Sequence, residues 1–163
     1  MKVLIFIMLA MPVAVAAQEK GYLHGFAGLS RSNEATTHGV VGLSGGLKMG
    51  KAFAVGAGVG FIQFEKPYIP LTIDLSLIPT NKKVNPIAGV KAGYGFFNYH
   101  PSSTETVRGG FVATAFAGIM LSRVKFKPNI TAGATRYTFK SSYQTKTIGT
   151  DDKRGFIAIG FLL

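Results

Sequence analysis

Three polar constellations in this sequence could carry chemistry. His100-Pro101-Ser102, with Glu105 three residues further on, holds the parts of an acyl-transfer triad. In such a triad the imidazole activates the hydroxyl and the acid orients the imidazole. Asp74, Lys91 and Arg136 form the second constellation, charges set into stretches otherwise made of apolar and small residues. A carboxylate in such surroundings needs a cation beside it, so the expectation is an ion network that fills an interior, with Asp74 paired to Lys91 on the adjacent strand. The third is the set of histidines, His24, His38 and His100. They fall on separate segments, so they are not expected to converge on a metal ion, and no cofactor is assigned. The chain has no cysteine, which excludes a Cys nucleophile, a Cys-ligated zinc and a disulfide scaffold.

The elements that must position these residues begin after an export signal. One positive charge at Lys2, an unbroken apolar run over residues 3–11 and small residues ending in Ala14-Val15-Ala16 fit a cleavable signal peptide. The stretch is short of the ~20 residues a spanning helix needs. Residues 1–17 are therefore expected to be removed, leaving 18–163 as one domain. Within the 163 residues, 47% are hydrophobic, only 15% are charged and 21 are glycine. That balance excludes disorder, and glycine at this frequency works against helices.

The recurring signal is period two. Ile69, Leu71, Ile73, Leu75 and Leu77 alternate with smaller or polar neighbours, and Phe53, Val55, Ala57, Val59 and Phe61 alternate with Ala54, Gly56, Gly58 and Gly60. These patterns predict strands. Turn signals divide the chain into eight, at about 20–30, 39–49, 52–64, 68–78, 86–97, 111–122, 127–140 and 155–163. The links include short turns and longer polar loops at 31–38, 98–110 and 141–154. The expected fold is all-β, an eight-stranded antiparallel up-and-down transmembrane barrel.

Charge placement decides which face meets which solvent. Of the 24 charged residues after Lys2, only Lys48, Asp74, Lys91 and Arg136 sit clearly on the minor strand face. That face is otherwise mostly Gly, Ala, Ser and Thr, which suits a narrow filled lumen better than a hydrated exterior. The large apolar face is then expected to meet lipid. Aromatic residues, including Phe53, Phe96, Phe111, Phe126, Tyr68, Tyr137 and Phe139, are placed at the two interfaces, with Phe64 and Phe97 filling lumen ends. The glycine-rich runs lack the following helix that a phosphate loop requires.

The alternate apolar residues Ile157, Ile159, Phe161 and Leu163 at the chain end resemble the closing-strand signal of bacterial outer-membrane barrels, with Leu where an aromatic residue is usual. Residues 69–95 resemble the central hairpin of small outer-membrane β-barrels common in Bacteroidetes, and the architecture is similar to OmpA/OmpX-type barrels. The resemblance implies the outer membrane of a Gram-negative bacterium, with periplasmic termini and turns. It implies contact with outer-membrane lipid (lipopolysaccharide outside, phospholipid inside) and with the barrel-assembly machinery. It also implies a non-enzymatic role in envelope integrity or surface interaction through loops 31–38, 98–110 and 141–154.

Three rivals stand beside this. Some small outer-membrane barrels that deacylate lipid A carry a His-x-Ser pair and a Glu, which would make Ser102, His100 and Glu105 a lipid-A-modifying acyl hydrolase. In that family the pair lies on a regular strand, whereas Pro101 interrupts it here and the segment reads as loop. A soluble exported barrel binding a hydrophobic ligand would invert the facing assignment. A narrow pore would make the lumen charges a selectivity site, but eight strands leave little room. Nucleic acid is not an expected partner, because the +11 charge is dispersed and no stacking platform accompanies it.

Overall fold

The computed structural model describes residues 21–32, 36–64, 67–102, 105–122, 125–143 and 146–163, with the side chains of 98–102, 105, 143 and 146 left out. The signal segment 1–17 lies outside the described residues.

The chain forms β1 Gly21–Ser32, β2 Thr37–Met49, β3 Phe53–Gln63, β4 Pro67–Leu77, β5 Val84–Phe96, β6 Asn98–Ser102, β7 Glu105–Leu121, β8 Lys127–Tyr143 and β9 Lys146–Leu162. Successive strands pair antiparallel, and β9 returns to β1 with Phe161 opposite Gly25 and Ile157 opposite Leu29, closing the sheet. Closure leaves no open edge in the barrel wall. β5 and β6 are one stave interrupted at Phe97. Both pair with β7, β5 through Tyr94 opposite Phe111 and β6 through Asn98 opposite Arg108, and the break falls where β7 carries its own irregularity between Gly109 and Val112. Counted that way, the nine strands make an eight-staved barrel, as the periodicity predicts.

The long loops are the main departure. Residues 98–102 pair with 105–108 as a hairpin, and 135–143 pair with 146–154. β1 and β2 likewise shorten the expected loop 31–38 to the residues between Ser32 and Thr37. These segments are polar and rich in Thr and Ser. Residues 105–109 also pair with 139–143, so β6–β9 continue together beyond the wall. There both faces meet the same surroundings, no apolar alternation is needed, and cross-strand pairs such as Ser142 opposite Thr147 suffice. Periodicity cannot register strands of that kind.

The turns at the opposite end are tight. Gly50 turns β2 into β3 at φ 73°, in the left-handed region that favours glycine. Asn85 fastens the β4–β5 turn: its Oδ1 accepts from the Lys82 amide at 3.1 Å, and its Nδ2 donates to the Lys82 carbonyl and the Ser122 hydroxyl, both at 2.7 Å.

Inside, two apolar clusters stop the barrel. Tyr22, Ala54, Ile78, Ile87, Met120 and Leu162 fill the turn end. Ile62, Tyr68, Val112 and Tyr137 fill the hairpin end, with Val40, Phe64, Phe97 and Phe139 packed on them. Tyr68, Tyr137 and Phe139 therefore point inward, a correction to their expected interfacial position, while Phe64 and Phe97 fill the lumen end as expected. Seven ring contacts of Phe64, Tyr68, Phe97, Tyr137 and Phe139 are edge-on, at 5.3–6.5 Å between centroids, the arrangement aromatic quadrupoles favour. Tyr68 fits because Gly95 on the neighbouring stave has no side chain; a Cβ there would overlap the phenol ring. Gly95→Ala is expected to cost about 1–3 kcal/mol through overpacking, read as a lower temperature for loss of the folded form on a semi-native gel. An unchanged temperature would contradict this packing.

Candidate functional site

The middle of the lumen, between the two apolar clusters, collects the polar side chains. Asp74 on β4 is directly opposite Lys91 on β5, and period two sends both inward. Asp74 is 1% exposed and Lys91 12%, with Lys91 Nζ at 3.1 Å from Asp74 Oδ2. Thr72 Oγ1 donates to Asp74 Oδ1 at 2.7 Å, and Lys91 Nζ donates to Ser44 Oγ at 3.4 Å. The ammonium also lies 5.0 Å from the Phe26 ring centre and 5.7 Å from that of Phe116, so both of its flanks are on aromatic faces. A cavity of about 70 Å³ adjoins this pair, lined in part by His24, Thr114, Thr131 and Thr135. Two features tie the cavity walls together. His24 Nε2 donates to Asn129 Oδ1 at 3.3 Å, and the hydroxyls of Thr114 and Thr135 lie 3.0 Å apart.

Glycines make room for this layer. Phe26 stands opposite Gly42, and Phe116 opposite Gly89; each ring lies across its glycine, where a Cβ would come within 2.5 Å and 2.7 Å of the ring. Phe26, Phe116, Ser44 and Thr72 were not among the residues singled out from the sequence. The pairing of an aromatic residue with a glycine across a hairpin is the signal that could have found the first two.

Arg136 is not part of the network, which corrects the expectation. It faces outward, 56% exposed, and pairs with Asp151 of β9. The register sets this: Arg136 is opposite Ala113 and Lys153, both on the outer face. The sequence is ambiguous there because the outward neighbours Ala132 and Ala134 are smaller than the inward Thr131, Thr135 and Tyr137. Arg154 shows the reverse. Expected in an outer loop, it is 8% exposed, bonds Asp152 through Nε at 2.6 Å and lies 4.7 Å from the centre of the Phe64 ring. It covers the hairpin end of the aromatic plug.

The histidines are kept apart. His24 is in the lumen, and His38 Nδ1 donates to the Gln63 carbonyl at 2.6 Å. The side chain of His100 lies outside the described residues, as do those of Ser102 and Glu105. Their backbone is strand rather than the expected loop, with Ser102 opposite Glu105.

The outer surface carries the large apolar side chains. Ile73 is 71% exposed and Ile159 68%, and Val55, Leu75, Val90, Ile119, Ile130 and Ile157 are also exposed. At the turn end Met49, Phe53, Leu121 and Phe126 continue this surface. Ile157, Ile159 and Phe161 of the chain end belong to it, and Leu163 closes the seam by donating its amide to the Leu23 carbonyl at 2.9 Å. The interior is thus more polar than the exterior, the reverse of a soluble domain.

No protein-family model and no curated protein matches the chain. Solved structures do match. The N-terminal β-barrel domain of Pseudomonas aeruginosa OprF aligns over 90% of this chain and 98% of its own, at 12% identity and a TM-score of 0.56. Neisserial surface protein A aligns over 88% of this chain and 94% of its own, at 10% identity and a TM-score of 0.59. At such identity the likeness is one of fold: the closed eight-staved antiparallel barrel.

Proposed function

We propose that the protein is an integral outer-membrane β-barrel of a Gram-negative bacterium, its lumen plugged by side chains, acting without catalysis in envelope integrity or surface contact through its outer hairpins. The observation that carries this reading is the inverted polarity. A largely apolar exterior surrounds a buried Asp74–Lys91 pair, and a closed barrel meets the demand of lipid that every backbone group be bonded internally. Two fold neighbours, named as a surface protein and as the barrel domain of OprF, support it. Termini and short turns are then periplasmic, and the β1–β2, β3–β4, β6–β7 and β8–β9 hairpins face outward. Ile157, Ile159, Phe161 and Leu163 are offered to the barrel-assembly machinery before insertion.

The role is tested in cells lacking the protein. They are expected to become more sensitive to bile-salt detergent, with recovery from a plasmid copy; equal sensitivity would remove the envelope-integrity role. Plugs at both ends predict flat current traces in planar bilayers, where discrete conductance steps would contradict a filled lumen.

The lipid-A hydrolase reading has one observation in its favour. His100 and Ser102 stand two positions apart on β6 and Glu105 is the register partner of Ser102, nearer to a strand-borne triad than the loop the sequence suggested. Ser102→Ala is expected to leave the acyl pattern of lipid A unchanged by mass spectrometry. Loss of a deacylated species in that variant would replace the non-enzymatic reading.

A further inference from the structure

The turn end of the barrel carries a strong and one-signed charge. Lys48, Lys51, Lys82, Lys83, Lys125 and Lys127 lie at or beside the short turns. Among the described residues no Asp or Glu lies at that end, and none of the salt bridges there involves these lysines. They stand immediately beyond the exposed apolar residues Met49, Phe53, Leu121 and Phe126. That is the level at which a bilayer's hydrocarbon gives way to headgroups.

Two concavities meet this collar on one side of the barrel. A notch of about 300 Å³ lies between the β2–β3 and β4–β5 turns, bordered by Lys48, Lys51, Phe53, Thr80 and Asn81. On the outer wall of β2–β5, a trough of about 580 Å³ is floored by Gly45, Ala57 and Ala92 and walled by Leu47, Val55 and Leu71. The floor residues lie along one register line, Gly45 opposite Ala57 opposite Ile73 opposite Ala92. From Gly45 to Lys48 is three residues of strand, on the order of 10 Å. Lys48, opposite Ala54 of the lumen cluster, rises from the inner side of the barrel mouth. Phe53 is exposed on the outer wall next in line to Val55 of the trough, so trough and notch meet across the rim at Phe53 and Lys51. The chemistry of an occupant follows from the lining: an anionic group against lysines and an apolar chain against aliphatic side chains.

We propose that this side of the barrel is a binding site for an anionic phospholipid, with its phosphate headgroup in the notch beside Lys48 and Lys51 and one acyl chain in the trough. The site rests on the membrane reading above and adds a lipid class to it. An ammonium near an anionic headgroup favours it over a zwitterionic one by about fivefold for each lysine. The apolar trough gives a reason for the lipid to be retained rather than merely attracted.

The test uses the protein extracted from membranes in mild detergent and given equal amounts of phosphatidylglycerol and phosphatidylcholine, with retained lipid read by native mass spectrometry. Preferential retention of phosphatidylglycerol is expected. Lys48→Gln/Lys51→Gln is expected to lose roughly 25-fold of that preference if the two lysines act independently, while Lys140→Gln/Lys153→Gln on the opposite hairpins changes nothing. Ala57→Leu, which fills the trough, is expected to lower retention of both lipids, and Ala57→Ser to keep it. Equal retention of the two lipids overturns the site, as does an unchanged preference in the Lys48/Lys51 variant or full displacement by inorganic phosphate, which would mark an anion site without a lipid. A heat-dependent gel shift confirms that each variant is folded. Protein that does not partition into vesicles fails the membrane reading itself; protein that does, yet retains both lipids equally, fails the lipid site alone.

Discussion

Asp74→Ala is expected to lower the unfolding free energy of the lipid-embedded barrel by about 3–5 kcal/mol, the cost of leaving a buried charge without its partner. The orphan would be the Lys91 ammonium, which keeps only Ser44 at 3.4 Å and the faces of Phe26 and Phe116. Neutralising both charges is different. Asp74→Leu/Lys91→Met removes the desolvation cost together with the attraction, and such replacements are commonly neutral or stabilising. The expected series is therefore a large loss for each single change and recovery in the double, measured by urea unfolding of the refolded protein in vesicles. A loss in the double variant equal to the sum of the two single losses would show that the two side chains act separately. A single change worth less than about 1 kcal/mol would mean that water reaches the pair and screens it, as it does at exposed ion pairs. The same double variant should still give flat current traces, because the apolar clusters at the two ends do not depend on the pair.

Ile73→Arg carries the second large effect, because its size depends on what the outer wall touches. Ile73 is 71% exposed, near the centre of β4. In a bilayer an arginine at such a depth costs about 2–4 kcal/mol, falling toward zero near the interfaces. In water the same change on an exposed position is expected to fall within about 0.5 kcal/mol of neutral. Ile148, equally an exposed isoleucine but on the β8–β9 hairpin beyond the wall, supplies the control. Ile148→Arg is expected to be neutral in both environments. Equal, small effects at both positions would mean that Ile73 faces water.

Legibility in the sequence followed the solvent on each side of a strand. Where one face meets an apolar exterior and the other a crowded lumen, as in residues 69–77, large and small residues separate cleanly and the alternation locates both the strand and Asp74. In β8 the separation fails, because Thr and Tyr point inward while Ala points outward, and Arg136 is assigned to the wrong side. Beyond the barrel wall both faces of a hairpin meet the same environment. Periodicity then disappears, so 98–110 and 141–154 read as loops although most of their residues are paired. Tyr68 is hidden by a different cause: its place in the lumen is made by Gly95 on another stave, a relation between strands that no single strand records. The candidate site was half legible for the same reason. A charged pair facing one way on adjacent strands can be inferred from spacing, whereas the rings that flank Lys91 require the register.

The central claim is that the apolar wall faces lipid, and the most direct measurement is membrane fractionation followed by gel migration of the extracted protein before and after boiling. The account predicts that the protein sediments with membranes, needs detergent for extraction and runs at a different apparent size until it is boiled, since a closed barrel of paired strands resists detergent at room temperature. Recovery from the aqueous fraction without detergent, with one mobility before and after boiling, would contradict it and would turn the exposed isoleucines and leucines of the wall into a surface that some other partner must cover.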